Sequence, residues 1–222
     1  AAIDFSGMGE SGHRSGEYGS AVHIPEIKAV LEEADLGAHP VVVGHSFGGY
    51  MTMSYAYKYG AALSGAVIID AAIRPGTEDL DTPPAAYDRP KRYYSDKKTI
   101  VDRYRLMPEQ PTNNPFLLNH VADHSVREET DGWTWKFDSA ARGAAHYQEP
   151  LSDYVRNLPC RKAFIYGAES KFMTPAVLKH MTTLFGLNDP MIAVPSAHHH
   201  LTIDQPIAFV VALRTILSGW DL

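Results

Sequence analysis

A single cysteine, Cys160, occurs in the 222 residues, so no disulfide can form within the chain and the fold must be held by its core. That scarcity suits a reducing cytoplasm, which is the expected location. Long apolar runs are missing too. The longest, Ala61 to Ile69, is interrupted by Ser64 and Gly65 and falls far short of the roughly 20 residues a membrane helix needs. The opening Ala1-Ala2-Ile3-Asp4-Phe5 has neither the basic start nor the apolar stretch of a secretory signal. There is no excess of positive charge: 20 Lys and Arg face 26 Asp and Glu, and the net charge of -6 argues against nucleic acid as a partner. The 15 prolines and 17 glycines are dispersed rather than clustered in low-complexity tracts, which excludes a fibrous repeat and long-range disorder. What is present is the 45% hydrophobic composition of a globular chain with one large core. A small molecule is the expected partner.

Short apolar runs recur, closed by turns and mostly followed by segments of helical period, the pattern of βα units around a mostly parallel sheet with flanking helices. The expected strands are Ala1 to Phe5, Pro40 to Gly44, Gly65 to Asp70, Lys162 to Gly167 and Pro190 to Val194. Ile24 to Leu36 puts Ile24, Ile27, Val30, Leu31 and Ala34 on one stripe and reads as an amphipathic helix. Pro175 to Phe185 and Gln205 to Leu217 repeat the pattern, with Asp204 as a cap before Pro206.

Residues 74–150 break the alternation. They offer helical stretches at Lys97 to Leu106 and Phe116 to Glu129, no evident strand, and aromatic residues too numerous to leave in water, among them Trp133 and Trp135. The segment is expected to be an inserted helical cap between core parts 1–73 and 151–222. Because the chain opens directly in a strand, an N-terminal segment of the sheet is expected to be missing from it.

Val41-Val42-Val43-Gly44-His45-Ser46-Phe47-Gly48-Gly49-Tyr50 is the most informative stretch. A buried strand runs into G-x-S-x-G and then into a helix-compatible segment, which is the context of a nucleophile elbow. So tight a turn strains the serine, and Gly44 and Gly48 are expected to let the neighbouring backbone come close. Ser46 Oγ would stand at the strand's end, with the Phe47 amide at a helix N-terminus to receive an oxyanion. A competing motif, Gly7-Met8-Gly9-Glu10-Ser11-Gly12, matches the dinucleotide fingerprint. That fingerprint needs a helix to begin within the glycines, and His13 to Gly19 continues as loop.

A serine nucleophile needs a base, and the imidazole pKa lies nearest neutrality. His198, His199 and His200 all follow the strand ending at Val194. As a metal site the three are unsuited, since adjacent side chains point in different directions. His120 and His124 share one helical face without further ligands, so no metal is expected there either.

Asp4-x-x-Gly7-x-Gly9-x-Ser11, Gly44-His45-Ser46-Phe47-Gly48-Gly49, and His199 seven residues before Pro206 together resemble the α/β-hydrolase family over nearly the whole chain. The resemblance implies a Ser-His-acid triad, a helical cap and no cofactor. It matches His199 to the base. For the acid it usually implies Gly-x-x-Asp after the strand ending at Gly167, where this chain has Gly167-Ala168-Glu169-Ser170. Some members take the acid from the strand after the nucleophile helix, which points to Asp70, with Glu169 as the alternative. The family's second oxyanion donor comes from a loop after an earlier strand, and no matching His-Gly segment precedes Asp4. His45, Trp133 and Trp135 are expected to line the substrate site. The resulting expectation is a serine hydrolase of esters or related small acyl compounds, the rivals being a carbon–carbon bond hydrolase and a non-catalytic binding module.

Overall fold

A computed structural model of the protein describes residues 1–16, 18–76, 90–141 and 149–220. Along the chain run α1 (Ser20–Glu33), β1 (Val41–His45), α2 (Phe47–Tyr59), β2 (Gly65–Ile69), α3 (Lys97–Val101), α4 (Pro115–His124), β3 (Val126–Glu129) and β4 (Gly132–Trp135). They are followed by α5 (Leu151–Arg156), β5 (Arg161–Gly167), α6 (Pro175–Leu184), β6 (Met191–Val194), α7 (Leu201–Asp204) and α8 (Pro206–Ser218). The chain divides into two compact units, Ala1–Glu26 with Thr82–His146, and Ile27–Asp81 with Tyr147–Leu222.

The second of these units holds a parallel sheet in the order β1-β2-β5-β6. Parallel strands covered on both faces read as unbroken apolar runs, and all five residues of β2 are buried. Because side chains alternate across a strand, Ile68 and Phe164 enter one core with Met53, Val155 and Met181. Val67, Ile69, Ala163 and Ile165 enter the other with Leu201, Ile216 and Trp220. Four of the expected strands thus form within a residue of their anticipated bounds. Asp204 does not cap α8: the chain first turns through α7, Gln205 takes the N-cap position without a side-chain bond, and Asp204 Oδ2 instead accepts from the His198 amide at 2.8 Å.

In the other unit, Ala1 to Phe5 forms no ladder among the described residues. Apolar character alone supplies no partner strand, and here Asp4 serves a turn, accepting from the Glu10 amide at 3.0 Å and, through its carbonyl, from Ser11 Oγ at 2.6 Å. No helix opens within the glycines that follow; the next begins at Ser20. The helical stretches expected in residues 74–150 are shorter than anticipated, and the segment carries an antiparallel hairpin of β3 and β4, with Val126 opposite Trp135 and Glu129 opposite Gly132. Thr130 and Asp131 make the turn, and Gly132 opens β4 with φ of 121°. No helix among the described residues is long and apolar enough to cross a membrane.

Candidate active site

Ser46 sits between the end of β1 and the start of α2 with φ of 51° and ψ of -116°, a left-handed conformation that costs a non-glycine residue of order 1–3 kcal/mol. The turn persists because its surroundings allow no other path. A Cβ on Gly44 would lie 2.1 Å from the Gly48 carbonyl oxygen and 2.3 Å from Thr52 Oγ1, and one on Gly49 would lie 2.6 Å from Ala71 Cβ. Gly48, expected to be one of the pair, has nothing within 4 Å of such a position. The close approaches therefore belong to Gly44 and Gly49, because α2 packs its second glycine toward the loop after β2. Phe47 is the first residue of α2, where amide groups point out of the helix end and the dipole favours negative charge.

Three strand ends of the sheet deliver the remaining groups. Asp70 follows β2 with φ of 45° and is 1% exposed; His199, after β6, is 4% exposed. His199 Nε2 lies 2.8 Å from Ser46 Oγ, and His199 Nδ1 lies 2.8 Å from Asp70 Oδ1. Since the carboxylate accepts, Nδ1 carries the proton and Nε2 is left to accept from the serine hydroxyl. Asp70 is held by two further donors, the Gly167 amide to Oδ2 at 2.8 Å and Ser170 Oγ to Oδ1 at 2.7 Å. The Phe172 ring meets His199 edge-on with centroids 4.7 Å apart.

Glu169, the alternative acid, is exposed, and its Oε2 lies 3.6 Å from His198 Nε2 rather than beside His199. His198 also approaches Asp204 Oδ2 through Nδ1 at 3.2 Å. His45 Nε2 contacts the His199 carbonyl oxygen at 2.8 Å. Burial, followed by the neighbouring His199, pushes the His45 pKa down to about 4, so its ring is neutral at working pH. Tyr50 donates its hydroxyl to the Ala72 carbonyl at 2.8 Å, and burial pushes its pKa up to about 12. Neither the Ser170 nor the Tyr50 contact was legible in the sequence. Trp133 and Trp135 belong to the other unit, where Lys97 Nζ lies 5.6 Å from the Trp133 ring centroid and Tyr104 lies 6.1 Å from Trp135. Burial pushes the Cys160 thiol up to about 11, away from the thiolate that a nucleophilic cysteine needs.

The family model described as the alpha/beta hydrolase family matches residues 1–213, and the chain belongs to that family of hydrolases. A 2-(acetamidomethylene)succinate hydrolase of Mesorhizobium japonicum is 26% identical over 221 residues, which cover 98% of this chain and 78% of that protein. Among solved structures, E-2-(acetamidomethylene)succinate hydrolase superposes with a TM-score of 0.77 at 23% identity, over 97% of this chain and 80% of that one. The esterase Rv0045c of Mycobacterium tuberculosis gives 0.76 at 22% identity, over 98% and 74%. At these identities the two structures speak to the fold.

Proposed function

We infer that the protein is a serine hydrolase that cleaves esters or related small acyl compounds through an acyl-enzyme. The observation that carries this is the continuous chain from Ser46 Oγ to His199 Nε2 and from His199 Nδ1 to Asp70 Oδ1, each link 2.8 Å. Ser46 Oγ attacks the acyl carbon while its proton passes to His199 Nε2, and Asp70 stabilises the imidazolium that forms. The Phe47 amide, at the start of α2, donates to the oxyanion. Collapse of the tetrahedral intermediate breaks the bond to the leaving group, which takes the proton from Nε2. Water then attacks the acyl-enzyme, giving its proton to His199, and the released acid leaves Ser46 restored. The 26% identical relative is named for a substrate bearing an acetamido group, itself an acyl compound. A cytoplasmic setting agrees with the single cysteine.

Incubation with a fluorophosphonate followed by peptide mass mapping tests the proposal. One adduct on Ser46 is expected; a folded sample that stays unmodified at Ser46 would overturn it.

A further inference from the structure

We propose that His45 is a positioning residue for the base: by donating its Nε2–H to the His199 carbonyl oxygen it fixes the loop that sets the imidazole against Ser46. The proposal rests on the serine-hydrolase reading of Ser46, His199 and Asp70.

The two histidines stand 154 positions apart in sequence, and the contact is 2.8 Å. A carbonyl oxygen only accepts, so the proton on His45 must be at Nε2. β1 and β6 are the two edges of the sheet order β1-β2-β5-β6 and share no ladder, so this side chain links what the backbone pairing leaves unlinked. Upstream of the base, the loop is tied down by main-chain bonds, Ala168 N to Val194 O at 3.0 Å and Glu169 N to Ala197 O at 2.9 Å. His199 lies beyond both of those ties, between the His198 amide, which donates to Asp204 Oδ2 at 2.8 Å, and the His200 carbonyl, which accepts from the Ile203 amide at 2.9 Å; those bonds stay within the loop and α7, whereas His45 ties the loop to β1. Its imidazole is held by Asp70 at Nδ1, and its partner at Nε2 is Ser46 Oγ, the reacting atom itself, so only the Nδ1 bond holds the ring throughout the attack. Anchoring the main chain of the same residue supplies the second fixed point. Reacting groups displaced by about 1 Å lose on the order of 100-fold in rate, so a second fixed point has kinetic value.

The chemistry of His45 suits the task. Its ring faces His199 with centroids 4.7 Å apart and His200 at 5.7 Å, and Asp70 is the nearby carboxylate acting on it. Half-buried among these groups it stays neutral, so it donates a hydrogen bond without placing a second positive charge beside the imidazolium that forms on His199. Lysine or arginine would also donate, but would oppose that charge.

A ring that only filled space could be replaced by another ring. Three variants separate the roles: His45→Phe keeps a ring without a donor, His45→Gln keeps an N–H at the reach of Nε2, and His45→Asn moves the N–H to the reach of Nδ1. Each is compared with wild type in kcat and KM on p-nitrophenyl acetate and butyrate, and in the second-order rate of fluorophosphonate inactivation. Circular dichroism and melting curves accompany each variant. The expected result is His45→Gln within about threefold of wild type, and His45→Phe and His45→Asn lower by about 10- to 100-fold in kcat and in inactivation rate, with KM within about threefold. If His45→Phe does not fold, the Gln and Asn pair, one methylene apart, still decides. Equal rates in all variants, or equal losses in Gln and Asn, would overturn the proposal while leaving the nucleophile intact. A folded wild type that neither turns over ester nor takes the fluorophosphonate would instead overturn the serine-hydrolase reading and this proposal with it.

Discussion

Ser170 Oγ donates to Asp70 Oδ1 across 2.7 Å, and that same oxygen faces His199 Nδ1 at 2.8 Å. The Gly167 amide holds the other carboxylate oxygen, so a buried acid at the end of β2 is orientated by donors from the last residue of β5 and from the loop after it. Without these partners a buried carboxylate would carry a desolvation penalty of several kcal/mol. With them, its direction toward His199 is fixed from two strands at once.

Asp70→Asn should therefore lower kcat by about 10³- to 10⁴-fold, because an amide favours the wrong imidazole tautomer. Glu169→Gln should change kcat by no more than about twofold, since Glu169 is exposed and lies beside His198. Steady-state kinetics on one ester, with a melting curve for each variant, checks the ranking. A larger loss from Glu169→Gln would move the acid there.

Ser170→Asp places a second carboxylate against Asp70 in a buried site, and like charges cannot both ionise cheaply there. The single variant should lose stability, by about 2–4 kcal/mol. Adding Asp70→Asn should recover most of that loss, since the pair then carries one charge. Urea midpoints of the single and double variants measure the coupling; additive losses would contradict the contact.

The glycines of the elbow should separate cleanly. Gly44→Ala drives a methyl to 2.1 Å from the Gly48 carbonyl oxygen and Gly49→Ala drives one to 2.6 Å from Ala71 Cβ, so each should destabilise by about 1–3 kcal/mol or more. Gly48→Ala meets nothing within 4 Å and gains helix propensity of up to about 1 kcal/mol. Its melting temperature should be unchanged or raised, and a loss matching that of Gly44→Ala would contradict the packing described.

These glycines show where sequence reasoning reaches and where it stops. β1, β2, β5 and β6 announce themselves as short apolar runs closed by turns, the run of β2 being buried throughout, and Ser46 is marked by glycines between such a run and a helix. Which glycine bears the close contact depends on how α2 meets the loop after β2, and that is a tertiary fact. The hairpin of β3 and β4, whose turn is Thr130 and Asp131, was hidden by a helical period continued past His124. The bonds from Ser170 to Asp70 and from His45 to His199 span 100 and 154 positions. Such contacts depend on side-chain direction at strand ends, which no local pattern encodes.

His45 gives the fold a pH dependence of definite sign. Its pKa falls from the ordinary 6.5 to about 4 on folding, chiefly through burial. Between those values the unfolded chain binds the proton and the folded chain does not, so the stability is full above pH 6.5 and declines as pH drops toward about 4. Wild type should lose up to about 3 kcal/mol more than His45→Gln over that interval. Urea midpoints at pH 7 and pH 4.5 test this, and parallel declines in the two proteins would contradict it.

If Ser46 is the nucleophile it becomes acylated, and rapid mixing of the protein with excess p-nitrophenyl acetate reads that acylation. One acetyl group per molecule is expected, mapped to Ser46 by mass spectrometry of acid-quenched samples taken during turnover, with loss of both the adduct and nearly all turnover in a folded Ser46→Ala variant. Ester turnover that survives in Ser46→Ala would rule out Ser46 as the nucleophile.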